Sequence, residues 1–252
     1  MAYLDRHGVG IWYDVQGSGP TVLLSHAYST DHRLWDPTVP ALADRFQVVT
    51  WDLRGHGDSD SPEDPAEYTV ERVMGDMVAL LDHVGADTAV VAGLSLGGFL
   101  SLEFLLAHPE RVRALMLMST GPGFRKDSAR DGWNATAERF AQRYDEKGLD
   151  ALPKATETAV ARHRSAAGLA RASRGYFSQR DARVIDSLPS IAVPTLVVVG
   201  DNDAGYQAAS DYMASKIPGA RKVVIPDAGH AANLENPEPF NRAVLDFLDT
   251  LP

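Results

Sequence analysis

Short apolar runs, each bounded by glycine, proline or polar residues, recur along the whole chain. Runs of roughly four to eight residues that are apolar on both faces are typical of buried strands in a parallel sheet. The predicted strands are Thr21–Ser25, Phe46–Trp51, Ala89–Leu94, Ala114–Ser119, Pro194–Gly200 and Lys222–Pro226.

Amphipathic segments with helical spacing lie between these runs. From Val70 to Val84 the apolar residues follow the 3.6-residue period, with Thr69 as a predicted N-cap and Gly85 as the end. A terminal helix is predicted to begin with Asn236 as cap and Pro237 at its first position. Strands that alternate with helices predict an α/β fold, with a mostly parallel central sheet covered by helices on both faces.

The alternation stops between residues 121 and 190, where no strand-like run occurs and alanine, arginine and other helix formers dominate. We interpret residues 121–190 as an inserted helical cap and residues 1–120 and 191–252 as the core domain. The cap holds 13 Lys and Arg against 9 Asp and Glu, whereas the core holds 11 against 25. The two parts therefore carry opposite net charges.

The composition narrows the possible functions. The chain has 252 residues, 44% of them hydrophobic, and a net charge of −10 without a basic stripe, which argues against a nucleic-acid partner. The absence of cysteine excludes disulfides, cysteine nucleophiles and thiolate metal sites.

Residues 1–10 contain no apolar run of the secretory type, so a cytoplasmic location is expected. Ala89–Ala107 is long and apolar, but its glycines favour a strand, a turn and a helix over a membrane span.

The segment from Gly93 to Gly97 reads Gly-Leu-Ser-Leu-Gly and lies where a predicted strand meets a predicted helix. In that context the pattern predicts a nucleophile elbow, because a sharp strand-to-helix turn exposes the serine oxygen and needs glycine on either side. Ser95 is the predicted nucleophile. The amide of Leu96, at the helix N-terminus, is predicted to stabilise an oxyanion. The alternative interpretation is a glycine-rich turn without catalytic function.

A serine nucleophile needs a histidine base, and the base needs an acid that orients it. Of the eight histidines, His230 lies on a loop between the last predicted strand and the terminal helix. We predict that His230 is the base. His56 is interpreted as a loop residue. Four further histidines are interpreted as solvated or capping residues: His7, His83, His108 and His163.

The acid is expected on the loop that follows Pro194–Gly200, because that loop carries two carboxylates. Asp203 is the predicted acid and Asp201 is the alternative. The loop after Ala114–Ser119 contains no carboxylate that could take the role.

The chain order Ser95, Asp203, His230 resembles that of the α/β-hydrolases. Leu23–Tyr28 is similar to the family's His-Gly segment, and this implies a second oxyanion amide at Tyr28 and a structural role for His26. Ala27 occupies the usual glycine position, so its methyl group narrows the approach to the oxyanion hole. Trp51–Ser59 resembles the family's Asp-x-Arg-Gly-x-Gly-x-Ser turn.

Within the superfamily, the chain resembles the 3-oxoadipate enol-lactonases and related small serine esterases. The similar stretches are Leu34–Pro37, Asp52–Gly57, His108–Val112 and Asn233–Pro237. The resemblance implies a cofactor-free and metal-free serine hydrolase that cleaves a carboxylic ester or lactone through an acyl-enzyme on Ser95. Carbon–carbon bond hydrolases and perhydrolases use the same triad and stay open, as does a small-molecule receptor that retains it. Epoxide hydrolases and haloalkane dehalogenases need a carboxylate at the elbow, and Ser95 therefore argues against both of these enzyme classes.

The positive charge of the cap predicts an anionic small-molecule substrate, with a carboxylate bound beside an arginine. The candidates are Arg162, Arg164, Arg171 and Arg174, and the alternative is that these arginines lie on solvated helix faces. The sequence predicts no nucleic-acid or membrane partner and leaves the oligomeric state open.

Overall fold

The computed structural model describes residues 2–251, and eight strands form a single sheet in the order β1-β2-β4-β3-β5-β6-β7-β8. The strands are β1 (Ala2–Asp5), β2 (Gly10–Gln16), β3 (Thr21–Ser25), β4 (Gln47–Trp51), β5 (Ala89–Leu94), β6 (Val112–Met118), β7 (Thr195–Gly200) and β8 (Arg221–Ile225). β2 is antiparallel to β1 and β4, and the other neighbouring strands are parallel. The carboxyl ends of β3 to β8 therefore lie at one edge.

Helices cover both faces of this sheet. The α-helices are α1 (Val39–Ala43), α2 (Val70–His83), α3 (Leu96–Ala107), α4 (Asp127–Lys147), α5 (Thr156–Ala159), α6 (Ala166–Arg174), α7 (Arg183–Ser187), α8 (Gln207–Lys216), α9 (Ala232–Glu235) and α10 (Pro237–Leu248). Short 3₁₀ helices occur at His32–Trp35, Pro65–Tyr68, Pro109–Arg111, Gly148–Ala151 and Leu188–Ser190. Across residues 2–251, every helix is too short or too polar to span a bilayer.

Successive side chains of each strand point to opposite faces of the sheet, and this divides the core into two layers. In β3, Leu23 packs in the cluster that contains the apolar faces of α2, α3 and α8. Its neighbours Val22 and Leu24 pack in the opposite cluster with α1 and α10. Successive side chains of a strand point to opposite faces, so an uninterrupted apolar run is what a sheet covered on both sides requires.

The predicted α/β fold with a mostly parallel sheet is confirmed, and all six predicted strands form within two residues of their expected ends. The β1–β2 hairpin was not among the predicted strands. β1 is mostly exposed and carries no apolar run, whereas β2 contains the buried run Ile11–Tyr13, which was not predicted as a strand. Thr69 accepts a hydrogen bond from Arg72 N as predicted. Asn236 is the N-cap of α10 and Pro237 its first residue, as predicted, although the Asn236 side chain donates to Pro226 O instead of accepting from its own helix.

The chain between β6 and β7 forms α4 to α7 and contains no strand among residues 121–190. We refer to residues 121–190 as the cap segment; the division of the chain into a cap and a core domain stays a prediction. α4 and α6 pack together through a small buried cluster that Tyr28 of the core also contacts. The cluster contains Ala141, Tyr144, Ala151, Leu169 and Ala170.

Candidate active site

Ser95 lies at the junction of β5 and α3, at the sheet edge where the parallel strands end. Its φ of 54° and ψ of −112° are unusual for a residue other than glycine. The surrounding backbone stabilises this conformation: Ser95 N donates to Met118 O at 2.9 Å, and Thr120 Oγ1 donates to Ser95 O at 2.6 Å. The local geometry is that of the strained turn which the sequence predicts.

The two glycines of the elbow are required because a side chain at either position would clash with the backbone. A Cβ at Gly93 would lie 2.1 Å from the carbonyl carbon of Gly97, and a Cβ at Gly97 would lie 2.1 Å from Ser25 O. Both contacts are with backbone atoms, which cannot rotate away. The turn can therefore close against β3 only when these positions have no side chain.

His230 and Asp203 meet at the same edge of the sheet. Asp203 follows β7 and His230 follows β8, and His230 Nδ1 lies 3.1 Å from Asp203 Oδ2. Asp203 is 7% exposed, whereas the His230 side chain is 25% exposed. This arrangement leaves Nε2 as the nitrogen of His230 that is available to a reacting group.

Asp201, the alternative acid, has other partners. Its carboxylate accepts hydrogen bonds from Asp227 N at 3.0 Å and Ala228 N at 3.1 Å. These bonds lower the pKa of the Asp201 carboxyl. Asp201 thus fixes the turn that leads to His230, and the carboxylate that contacts the imidazole is Asp203.

Tyr206 was not singled out in the sequence, although it lies three residues after Asp203. Its ring centroid is 4.8 Å from that of His230, and its side chain also interacts with Ser95. Burial raises the pKa of the Tyr206 phenol. Among the described residues no hydrogen bond joins Ser95 to His230, whose Nδ1 contacts Asp203.

The two predicted oxyanion amides belong to Leu96, the first residue of α3, and Tyr28, which follows β3. Neither amide has a hydrogen-bond acceptor among residues 2–251. The Tyr28 phenol donates to Leu169 O at 2.9 Å, and its ring stacks on Phe177 with centroids 4.3 Å apart. Burial raises the pKa of this phenol. The side chain of Tyr28 is thus used in packing against the cap segment.

A cavity of about 370 Å³ opens beside Ser95. Most of its wall is apolar, and no charged residue lines it within the part of the chain that the structure describes. The lining residues are Ser95, Leu96, Phe99, Thr120, Gly121, Pro122, Gly123, Phe124, Trp133, Phe177, Gln179, Gly205, Tyr206 and Ala209. An apolar cavity with few polar groups next to a candidate nucleophile is the usual form of a small-molecule site.

Residues 20–152, more than half of the chain, match the alpha/beta hydrolase fold family. The chain belongs to this family. A curated relative, 3-oxoadipate enol-lactonase 1 of Acinetobacter baylyi, is 29% identical and covers 98% of this chain and 96% of its own length.

Solved structures of hydrolases are also similar over nearly the full length. The enol-lactonase of Burkholderia xenovorans LB400 is 29% identical, covers 98% of this chain and 99% of its own, and superposes with a TM-score of 0.78. A thermophilic esterase of Thermogutta terrifontis, solved with malate bound, is 28% identical, covers 98% of this chain and 96% of its own, and has a TM-score of 0.81. The resemblance predicted from the sequence motifs is confirmed.

The arginines that the sequence suggested as carboxylate ligands do not line the cavity of this alpha/beta hydrolase. Arg174 pairs with Glu138 and Asp145 at 2.9 and 2.8 Å, and the Arg171 guanidinium donates to Pro62 O. Arg164 donates to Asp58 O, and Arg162 is exposed. The structure therefore gives no support to an arginine-bound carboxylate.

Three histidines lie in a largely buried network beneath Tyr28, and one of them was interpreted wrongly from the sequence. His56 lies on the loop after β4, as expected, where it is buried and accepts from Ser29 N at 3.2 Å. His163 of the cap segment, expected to be solvated, accepts from Gly57 N at 3.0 Å and contacts Ser29 O at 3.1 Å. His26 accepts from Leu53 N and donates to Ala27 O, as its expected structural role requires. Burial lowers the pKa of all three imidazoles.

One group of potential metal ligands occurs among the described residues, His32, Asp52 and Asp58, whose ligand atoms lie within 4.8 Å of one another. Its members already have partners. His32 Nδ1 lies 2.9 Å from both Asp52 oxygens, and Asp58 pairs with Arg33. The group is therefore explained by hydrogen bonds within the family's Asp-x-Arg-Gly turn region.

Proposed function

We propose that this chain is a cofactor-free serine hydrolase that cleaves a carboxylic ester or lactone. The observation that carries the proposal is the convergence of three features at one sheet edge: the Ser95 elbow, the His230–Asp203 contact at 3.1 Å, and the cavity beside Ser95. Membership of the alpha/beta hydrolase family, with enol-lactonase and esterase relatives, supports the same reaction class.

In the proposed mechanism Ser95 Oγ attacks the substrate carbonyl carbon, and its proton passes to His230 Nε2. The carbonyl π electrons move to oxygen, and the amides of Leu96 and Tyr28 stabilise that oxyanion. The carbon–oxygen bond to the leaving alcohol then breaks, and His230 protonates the departing oxygen. Asp203 keeps Nδ1 protonated and stabilises the imidazolium while it exists.

The acyl group is then bonded to Ser95. Water attacks its carbonyl carbon, gives a proton to His230, and expels Ser95 Oγ, which takes that proton back. Ser95 and His230 must approach each other in the substrate complex, since catalytic hydrogen bonds in unliganded enzymes often tighten only when substrate binds.

We also propose that residues 121–190 act as a cap over the core. Half of the fourteen cavity residues come from this segment, among them Phe124, Trp133 and Gln179, whereas Ser95 and Leu96 come from the core. The contact from Tyr28 Oη to Leu169 O joins the two parts beside the proposed oxyanion hole.

The test combines turnover with covalent labelling. The wild-type protein is expected to hydrolyse 4-nitrophenyl butyrate over many cycles, and a fluorophosphonate is expected to add its mass to the peptide that contains Ser95. The Ser95→Ala variant should lose both properties. Ser215→Ala, a change at an exposed serine of α8, is the matched control and should keep both. Labelling elsewhere, or a single stoichiometric burst without further turnover, would contradict the proposal and favour a receptor that retains the triad.

A further inference from the structure

The charge and polarity of the cavity wall bear on which ester this site accepts. Five aromatic residues line it, and its polar side chains are all neutral: Ser95, Thr120, Gln179 and the Tyr206 phenol. A carboxylate transferred from water into such a site loses its hydration without gaining a cation, and this is strongly unfavourable. An uncharged group of the same size carries no such cost.

The cations next to the lining residues in the sequence are held elsewhere. Arg125 follows Phe124 and donates to Asp186 Oδ1 at 2.7 Å. Arg180 follows Gln179 and donates to Glu71 Oε1 at 2.8 Å. Each guanidinium is paired with a carboxylate on the protein surface. Neither is positioned to neutralise an anion in the cavity.

Gln179 supplies a directed neutral donor. Its backbone is fixed by Asn134, which accepts from Gln179 N and donates to Gln179 O, both at 2.8 Å. Its Oε1 accepts from Phe124 N at 3.2 Å, which assigns the orientation of the amide. Within the described residues Nε2 donates no hydrogen bond. The Gln179 side chain therefore has one free donor and a fixed acceptor.

The close approach of Gln179 to the cavity depends on Gly123. Gly123 has a φ of +82°, and a Cβ there would lie 2.9 Å from Gln179 Oε1. The same Cβ would lie 3.4 Å from the Phe99 ring. The backbone is thus shaped so that Gln179 and Phe99 can border the same space.

We propose that this cavity selects an uncharged acyl group, with its hydrocarbon part against the aromatic wall and one acceptor oxygen bound by Gln179 Nε2. The acyl group is assigned to the cavity because the cavity begins at Ser95, to which that group is bonded in the acyl-enzyme. The inference rests on the proposed function and replaces the expectation of a carboxylate-bearing substrate.

Three 4-nitrophenyl esters separate charge from shape: the hexanoate, the 5-oxohexanoate and the glutarate monoester. The 5-oxohexanoate and glutarate groups are nearly isosteric, and only the second is charged. We expect kcat/KM for 5-oxohexanoate to exceed that for glutarate by about 10²-fold or more. The difference should persist from low salt to about 0.5 M, because it arises from desolvation and not from long-range steering. A glutarate ester that is hydrolysed as fast as its neutral isostere overturns the inference.

Two variants test the role of Gln179. Gln179→Glu keeps the acceptor for Phe124 N but removes the donor, so KM for 5-oxohexanoate should rise about 10-fold while KM for hexanoate changes less than about threefold. Gln179→Arg introduces a cation and should raise kcat/KM for the glutarate ester. The matched control is Arg180→Gln, which removes the neighbouring surface cation. This variant should leave the ratios of kcat/KM among the three esters unchanged. Equal effects of Gln179→Glu on both neutral esters would remove Gln179 from substrate binding.

Binding to Ser95→Ala protein distinguishes failure of the cavity inference from failure of the proposed reaction. The probes are the anilides N-phenyl-5-oxohexanamide and 5-anilino-5-oxopentanoate, detected through the fluorescence of Trp133 in the wall. Tighter binding of the neutral anilide supports the inference even if no ester is hydrolysed by the wild type. Tighter binding of the charged anilide, or no binding of either, overturns it even if esters are hydrolysed.

Discussion

The two nitrogens of the His230 imidazole have different environments, and this sets the expected chemistry of single residues. Nδ1 contacts Asp203, which leaves Nε2 available to the proposed nucleophile, Ser95. A base held in this way acts only together with its nucleophile and its acid, so the effects of substitutions at the three positions are expected to be non-additive.

Ser95→Ala and His230→Ala should each lower kcat by at least roughly 10³-fold, and the double variant should be little worse than either single variant. The reason is that loss of one member removes the function of the other. Steady-state hydrolysis of a nitrophenyl ester by the three variants provides the measurement. If the two losses multiply in the double variant, Ser95 and His230 do not share one mechanism.

Asp203→Asn should be severe, whereas Asp201→Asn should be mild. The first change removes the carboxylate next to Nδ1, and the second weakens two hydrogen bonds to the turn before His230. We expect a loss of about 10³-fold or more in kcat for Asp203→Asn, by analogy with orienting acids of other triads. Measured kcat values in the reverse order would transfer the role to Asp201.

Tyr28→Phe should retain most activity, because the residue is proposed to act through its backbone amide. The variant keeps the ring that stacks on Phe177 and loses only the hydrogen bond to Leu169 O. The expected cost is about 1 kcal/mol in the free energy of unfolding, measured by urea denaturation. A fall in kcat of about 10²-fold or more would show that the phenol itself takes part in the reaction.

At the scale of elements, the position of Ser95 depends on the close contact between the start of α3 and the end of β3. Gly97→Ala would place a methyl group 2.1 Å from Ser25 O and 2.8 Å from His26 O. Relief requires α3 to move away from the strand that leads to Tyr28. We expect a loss of about 3 kcal/mol in the free energy of unfolding, with activity lost as well.

Gly132→Ala is the matched control for this prediction. Gly132 lies in α4 and is exposed, and a methyl group added there would meet no other atom within 4 Å. The same substitution should therefore stabilise the protein by about 0.5–1 kcal/mol, because alanine is the better helix former. Similar unfolding free energies for the two variants would show that packing at the elbow is looser than the structure indicates.

For the molecule as a whole, the neutral histidines between the core and the cap segment predict a dependence of stability on pH. Burial lowers the pKa of His26, His56 and His163 in the folded protein, whereas an unfolded histidine titrates near 6.5. Below about pH 6.5 the unfolded chain therefore binds more protons than the folded one. The free energy of unfolding should fall as the pH is lowered from 7, by up to about 1.4 kcal/mol per pH unit for each histidine.

His163→Gln tests this dependence with little change in contacts, since glutamine can accept from Gly57 N and donate to Ser29 O. The variant should show a shallower decline of unfolding free energy between pH 7 and pH 5.5 in urea denaturation. His7→Asn, at an exposed position, should leave the slope unchanged. An unaltered slope in His163→Gln would mean that the pKa of this imidazole is the same in the folded and unfolded states.

Two hydrogen bonds between the core and the cap segment join distant parts of the chain. Tyr28 and Leu169 are 141 positions apart, and Gly57 and His163 are 106 apart. Both contacts connect the core to the cap segment. The cavity is lined by residues of both parts, so its shape depends on how the core and the cap segment pack together.

The sequence by itself determined the order of strands and helices, the elbow at Ser95 and the order of the three candidate catalytic residues. These features depend on local patterns: a short apolar run bounded by turn residues favours a buried strand, and the glycines two positions before and after Ser95 permit a tight turn. β1 was missed because an exposed edge strand has no apolar pattern, whereas β2 contains the buried run Ile11–Tyr13, which was not predicted as a strand.

Only the tertiary structure decided which partners the charged and polar groups have. The sequence predicted Asp203 as the acid but left Asp201 as an alternative on the same loop, and the packing of β7 beside β8 brings Asp203 to His230 and Asp201 to the preceding turn. The net charge of the cap segment suggested an anionic substrate, but the structure pairs Arg174 with two carboxylates. A charge acts through its nearest neighbours, which are set by chain folding over long sequence distances, and so its role cannot be read from composition.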